Sequence, residues 1–213
     1  MRDFDIGLRY FSGLPDGYLD DFRESLPTEN FRVSEKEVPP RPLNAMEWVV
    51  PTAVAIFFAK PFIDVLLKRA ADDFADAVYP RFKSGIASLA KKLFVRERVP
   101  LKRVTRAGAT DAPAALYFSI ESETRTTKRV KFVFANVLTD EQYDACIDQA
   151  FQMLEQHHAT QDGTDSLSSQ IATLPENRQD HIFLVYNPNS DTWEVRDPIQ
   201  ESLDKQRGTE SAS

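Results

Sequence analysis

Covalent catalysis needs a nucleophile and a base, and the chain offers few residues for either role. It has one cysteine, Cys146, and three histidines, His157, His158 and His181. A Cys/His dyad requires the two side chains within about 3 Å of each other. Cys146 and His157 fall on one face of a predicted helix, but at about 1.5 Å rise per residue they stand roughly 16 Å apart along its axis. A direct dyad is therefore excluded within an intact helix, and only His181 could approach from elsewhere. Cys146 also lies beside the predicted apolar stripe, so a small buried hydrophobe is the expected reading. A zinc site would have to recruit carboxylates or Cys146, since there is no HExxH or CxxC. The seven glycines form neither GxGxxG nor a GxxxxGK phosphate loop, and no GxSxG elbow occurs. No cofactor and no metal are expected, and the balance leans away from an enzyme.

Clustered carboxylates are the other candidate. Asp72, Asp73 and Asp76, in Asp72-Asp73-Phe74-Ala75-Asp76, have helical spacing, and such a group can bridge a hard cation. These five residues resemble the DDxxD motif with which prenyl-diphosphate and terpene synthases hold Mg²⁺ and diphosphate. The resemblance goes no further: those enzymes are larger all-α proteins with a second acidic site. A solvated helix face is the expected reading. Asn187 to Asp191 could offer oxygens to calcium, yet the same residue types build ordinary hairpin turns.

The elements around these residues follow from composition and period. Net charge is −7 over 213 residues, but it is unevenly spread. Arg81 to Arg106 carries nine Lys/Arg against a single acid, Glu97. An acidic chain with one basic stripe presents a local anionic contact rather than a general nucleic-acid surface. Nucleic acid is also not expected because the stripe has no zinc spacing and no RNP-like aromatic run. A single cysteine precludes an internal disulfide and suits a reducing compartment. The start, MRDFDIGLRYF, has acids where a signal peptide needs a basic segment and an apolar run. The expectation is a cytoplasmic protein, with peripheral membrane contact open.

Trp48 to Leu67 is apolar enough to raise the question of a membrane span. Its eleven Val, Ile, Leu and Phe would favour insertion by roughly 3–7 kcal/mol. Lys60 and Asp64 would each cost about 2.5–3.5 kcal/mol, and Pro61 would interrupt the hydrogen-bond ladder. The sum is near zero. After Pro61 an apolar stripe (Phe62, Ile63, Leu66, Leu67, Ala70, Phe74) faces away from Asp64, Lys68 and Asp72, which predicts an amphipathic helix to Tyr79. Phe82, Ile86, Leu89, Ala90 and Leu93 predict a second helix over 81–93, with Lys83, Lys91 and Lys92 outside the stripe. A helix that lets one face meet water is not surrounded by lipid, so burial against protein is preferred to a span.

The flanks are α+β. Residues 1–44 read as a small βαβ-like segment ending in a Pro-rich connector, Val38-Pro39-Pro40-Arg41-Pro42. Residues 45–95 read as an apolar and amphipathic helical segment. Residues 96–200 read as an α+β domain in the order ββαββ, an antiparallel sheet with a helix on one face. That helix starts at a Thr139/Gln142 capping box. Residues 201–213 hold a single large apolar side chain, Leu203, and are expected to be disordered.

The functional expectation is a non-enzymatic interaction or regulatory protein that docks through its apolar and basic amphipathic helices. Trp48, Val54, Phe57, Phe58, Phe62, Lys83, Lys91, Lys92 and Arg96 are the candidate contact residues. A protein partner or a second copy is expected. The alternative is a membrane-associating effector or anchor that uses 48–67 together with the basic helix 81–93 on an anionic surface.

Overall fold

Alternation and capping set down the elements in the order β1 (Ile6–Phe11), α1 (Asp20–Ser25), β2 (Val33–Val38), β3 (Thr52–Phe58), α2 (Lys60–Lys68) and α3 (Asp73–Lys91). A π-helical turn (Lys92–Arg96), β4 (Lys102–Thr105), β5 (Gly108–Pro113), β6 (Tyr117–Glu123) and β7 (Arg129–Phe134) come next. The chain ends with α4 (Asp140–Ala159), α5 (Ser166–Ile171), β8 (His181–Asn187) and β9 (Thr192–Arg196). This computed structural model describes residues 4–12, 14–29, 31–39, 52–68, 73–96, 102–105, 108–113, 117–126, 128–134, 138–160, 162–176 and 181–197. Side chains are described for all of these but 66–68, 73–78, 96, 102–105 and 108–113.

The fold is α+β. Seven strands form one mixed sheet in the order β2-β1-β3-β6-β7-β8-β9, and β4 pairs with β5 in a separate ladder. The sheet draws β1 and β2 from the first predicted segment, β3 from the middle one and β6 to β9 from the last. The βαβ-like start is present, with β1 and β2 parallel around α1. The pairing of the last four strands differs from an antiparallel ββαββ sheet, because β7 and β8 run parallel. Between them the twenty residues of α4 carry the chain back along the sheet, so β8 starts at the same end as β7.

The apolar run before Lys60 is a strand, not the helix expected there. β3 lies between β1 and β6, and Ala53 to Phe58 are all buried. Val54, Ile56 and Phe58 share the register of Tyr10, Leu8 and Ile6 on one face; Ala55 and Phe57 pair with Arg9 and Gly7 on the other. A strand covered on both sides shows no alternation, which is why its period is not readable from hydropathy. Pro61 then sits in the first turn of α2, where its missing amide costs nothing. The expected break near Pro80 is also absent: Pro80 lies inside α3 on its exposed side.

Helices cover the face that carries Ile6, Leu8, Ile56, Phe58, Ile120, Phe132 and Leu184, all at most 1 % exposed. Phe58 contacts Phe62, Phe82 and Phe151 at ring-centroid distances of 5.1, 5.7 and 5.6 Å. One aromatic cluster thus joins β3 to α2, α3 and α4. At the other end Trp193 packs edge-on against Phe132 and Phe134, each at 5.0 Å, and donates its indole N–H to the Cys146 carbonyl.

Candidate functional site

The positive stripe of α3 meets a negative row on α4. Lys83 Nζ lies 2.8 Å from Asp148, and Lys91 Nζ lies 2.7 Å from Asp144. Tyr79 donates its hydroxyl to Glu155 at 2.6 Å. Numbers rise along α3 as they fall along α4, so the helices are antiparallel and the contacts form a ladder. Lys92 turns the other way: its ammonium donates to the Tyr18 carbonyl at 3.2 Å and sits 4.7 Å above the Tyr18 ring. All three of the expected contact lysines are therefore engaged within the fold. Val54, Phe57, Phe58 and Phe62 are buried, at 0 %, 8 %, 0 % and 1 % exposure. Trp48 and the side chain of Arg96 lie outside the described residues, as do the side chains of Asp72, Asp73 and Asp76. Val95, 37 % exposed, is the large apolar side chain open to solvent among the described residues. Among those residues no helix is long and apolar enough to cross a membrane.

Chemistry-bearing side chains gather instead at the C-terminal end of α4. His157 is 3 % exposed. Its Nε2 accepts from the Arg125 amide at 3.3 Å, which leaves the ring proton on Nδ1, 3.1 Å from Asp165 Oδ1. Asp165 caps α5: it accepts from the Ser168 amide at 2.8 Å and from the Ser168 hydroxyl at 2.6 Å. The Arg125 guanidinium lies 3.6 Å from Asp165 and donates to the Thr160 carbonyl at the end of α4. His158, next along, donates from Nε2 to the Glu123 carbonyl at 3.0 Å, while its Nδ1 stands 3.9 Å from Asp64. Asp64 pairs with Lys60, whose amide donates to Glu123.

Burial pushes both histidines below the ordinary imidazole range, against the pull of Asp165 on His157 and of the Glu123 carbonyl on His158. Burial alone would raise the Asp165 carboxyl, but hydrogen bonds from Ser168 and His157 outweigh it and its pKa is lowered. A serine, a histidine and an aspartate are thus in contact without forming a nucleophilic triad. Both Ser168 and Asp165 address the same ring nitrogen, and the other is occupied by a backbone amide. Removing a proton from Ser168 would require the Nδ1 lone pair that the tautomer does not offer. Cys146 cannot substitute. Burial raises its thiol far above the usual range, and it donates to the Tyr143 carbonyl. His181 falls on the sheet face opposite the helices, in register with Arg129, so the sheet separates it from Cys146. Among the described residues no three His, Cys, Asp or Glu side chains gather as a metal would need.

A concavity lies between α1 and α3. Gly85 lets the two helices approach closely: a Cβ there would stand 2.0 Å from Ser25 Oγ and 2.5 Å from Ser25 Cβ. Beside this contact is a cavity of about 230 Å³, lined by Asp21, Glu24, Arg81, Ser84, Ser88 and Lys92 among others. Arg81 donates to the Glu24 carbonyl at 2.9 Å beside it.

The cap of α5 was missed from the sequence, although Asp165 ahead of Leu167 in Asp165-Ser166-Leu167-Ser168 is a local signal for it. Nothing local marks Arg125 as the partner of His157, 32 residues away. Comparison with protein-family models, with curated proteins and with solved structures finds no match to this chain.

Proposed function

We propose that this chain is a non-enzymatic interaction or regulatory protein that receives a protein partner in the groove between α1 and α3. The observation that carries the reading is the groove itself. Its floor is fixed by the Gly85–Ser25 contact, and its walls hold both charge signs and two exposed hydroxyls, Ser84 and Ser88. At about 230 Å³ it is smaller than the 300–1,000 Å³ typical of small-molecule sites and suits one or two side chains of a polar segment. Further support comes from the chemistry-bearing groups. His157, Asp165, Ser168 and Cys146 are each engaged in holding the fold together. The contact surface thus keeps Lys92 of the residues expected to carry it, drops the buried Val54, Phe57, Phe58 and Phe62, and adds Arg81, Ser84 and Ser88. A cytoplasmic setting is part of the proposal.

Size-exclusion chromatography with light scattering on the full chain tests this, alongside Ser84→Trp and Ser88→Trp, which fill the groove from exposed positions. The expected result is a wild-type oligomer or a co-purifying protein, and folded Trp variants that run alone. A wild-type monomer with no partner overturns the proposal. Flotation of the wild type with anionic but not neutral liposomes would favour the membrane-associated reading instead.

A further inference from the structure

The cluster at the end of α4 has a geometry that only one protonation state can satisfy. Three elements meet there: α4 through His157, the β6–β7 turn through Arg125, and α5 through Asp165 and Ser168. The Arg125 amide points at His157 Nε2, and an imidazole nitrogen accepts a hydrogen bond only while it carries no proton. We infer that His157 and Arg125 form an acid-sensitive latch that fastens the β6–β7 turn to the end of α4, and that opens locally when His157 takes up a proton.

Attraction and repulsion around the ring can be weighed group by group. A proton on Nε2 would face the Arg125 N–H, so a hydrogen bond becomes a donor–donor clash and a buried amide loses its acceptor. The Arg125 guanidinium adds a second positive charge, and His158 is the neighbouring ring, 5.4 Å away. Beyond His158 stand Asp64 and Lys60 of α2, whose charges oppose each other. Two features favour the cation: Asp165, and the negative end of the α4 dipole. The Arg125 guanidinium, 3.6 Å from Asp165, offsets part of that carboxylate's charge and covers the Thr160 carbonyl at the helix end, so what remains of both attractions is set against the lost amide hydrogen bond. The downward displacement of the His157 titration by burial agrees with this balance.

Opening stays local because the parts it frees are held separately elsewhere. The turn closes on itself through Thr124 N–H to Lys128 O at 2.8 Å, and the β6–β7 ladder begins at Glu123 and Arg129. Leu167, fully buried, keeps the far side of α5 in the core. The motion is a loosening of the turn, while Asp165 keeps its contacts with His157 Nδ1 and with Ser168.

Amide hydrogen exchange resolved by NMR on the full chain, at about pH 7.5 and about pH 5.5 and corrected for intrinsic rates, tests the latch across the range where imidazole titrates. The expected result is a loss of protection of about tenfold or more at the Arg125 amide, the scale set by orphaning a buried donor. Low urea should accelerate exchange in β7 but leave Arg125 unaffected, since local opening exposes little surface. In His157→Gln the pH dependence at Arg125 should vanish, and in His158→Gln it should persist. Protection at Arg125 that does not change with pH overturns the latch. So does a urea dependence equal to that of β7, which would mean global unfolding, or a pH dependence that survives in His157→Gln. Should His157→Gln fail to fold, the wild-type imidazole ¹⁵N shifts decide: the Arg125 loss must follow the His157 titration and no other.

Discussion

Two adjacent histidines occupy different situations although both are buried. His157 has a donor on one nitrogen and a carboxylate at the other; His158 has a carbonyl at one and a carboxylate beyond hydrogen-bond reach at the other. Both titrate below the unfolded value of 6.5, so the unfolded chain binds more protons than the folded one as acidity rises. Stability is therefore fully present above about pH 6.5 and falls as pH drops from there through the folded-state values. Urea denaturation midpoints measured down to about pH 5 should decline, and His158→Gln should flatten part of the decline. A midpoint that is constant over that window would contradict the burial of both rings. Cys146 follows the same logic in reverse. Its thiol is buried and held neutral, which makes it core material, as its place beside the apolar stripe of α4 implies.

Among elements, the α1–α3 and α3–α4 contacts show two different ways of joining helices. The α3–α4 ladder is electrostatic at its rim, where half-buried lysines meet exposed aspartates, and each such pair adds at most about 1 kcal/mol. Its strength lies beneath, in Phe82 against Phe58 and Phe151. The α1–α3 contact depends on the absence of an atom. Gly85→Ala would gain up to about 1 kcal/mol of helix propensity but force a methyl onto Ser25 Oγ and Cβ, an overpacking that costs about 1–3 kcal/mol. The net expectation is a destabilised protein in thermal or urea unfolding, with Gly85→Ala/Ser25→Gly recovering most of the loss. A single Gly85→Ala variant as stable as wild type would mean that α1 moves away freely. The start of α4 needs no tertiary help: Thr139 and Gln142 bond reciprocally, at 3.3 and 2.9 Å, in the capping box that their spacing announces.

For the whole molecule, one sheet and one core join the first described strand to the last. Phe58, at the junction of β3, α2, α3 and α4, contacts three other rings, and Phe58→Ala should cost about 3–5 kcal/mol. Because the strands before and after β3 belong to the same sheet, the loss should appear as one earlier transition. Tryptophan fluorescence and far-ultraviolet circular dichroism should report the same midpoint. Two separated transitions would show that the residues before β6 fold independently of the rest.

The sequence by itself determined what depends on neighbours along the chain. Period-two alternation marks β1, β6 and β7; the capping box marks the start of α4; and the i,i+4 pairing of Lys60 with Asp64 marks a solvated face of α2. Tertiary structure decided what depends on distant surfaces. Thr52–Phe58 is a strand because β1 and β6 cover its two edges and the chain covers both its faces, and an all-apolar run carries no period from which that could be read. The basic stripe was visible as charge, but the acidic row on α4 that meets it lies more than fifty residues later. Hydrogen-bond partners such as Arg125 and His157 come together only through the crossover that brings α4 back over the sheet. Pairing at that separation leaves no local trace, because its free energy is set by the folded geometry and not by the residue types alone.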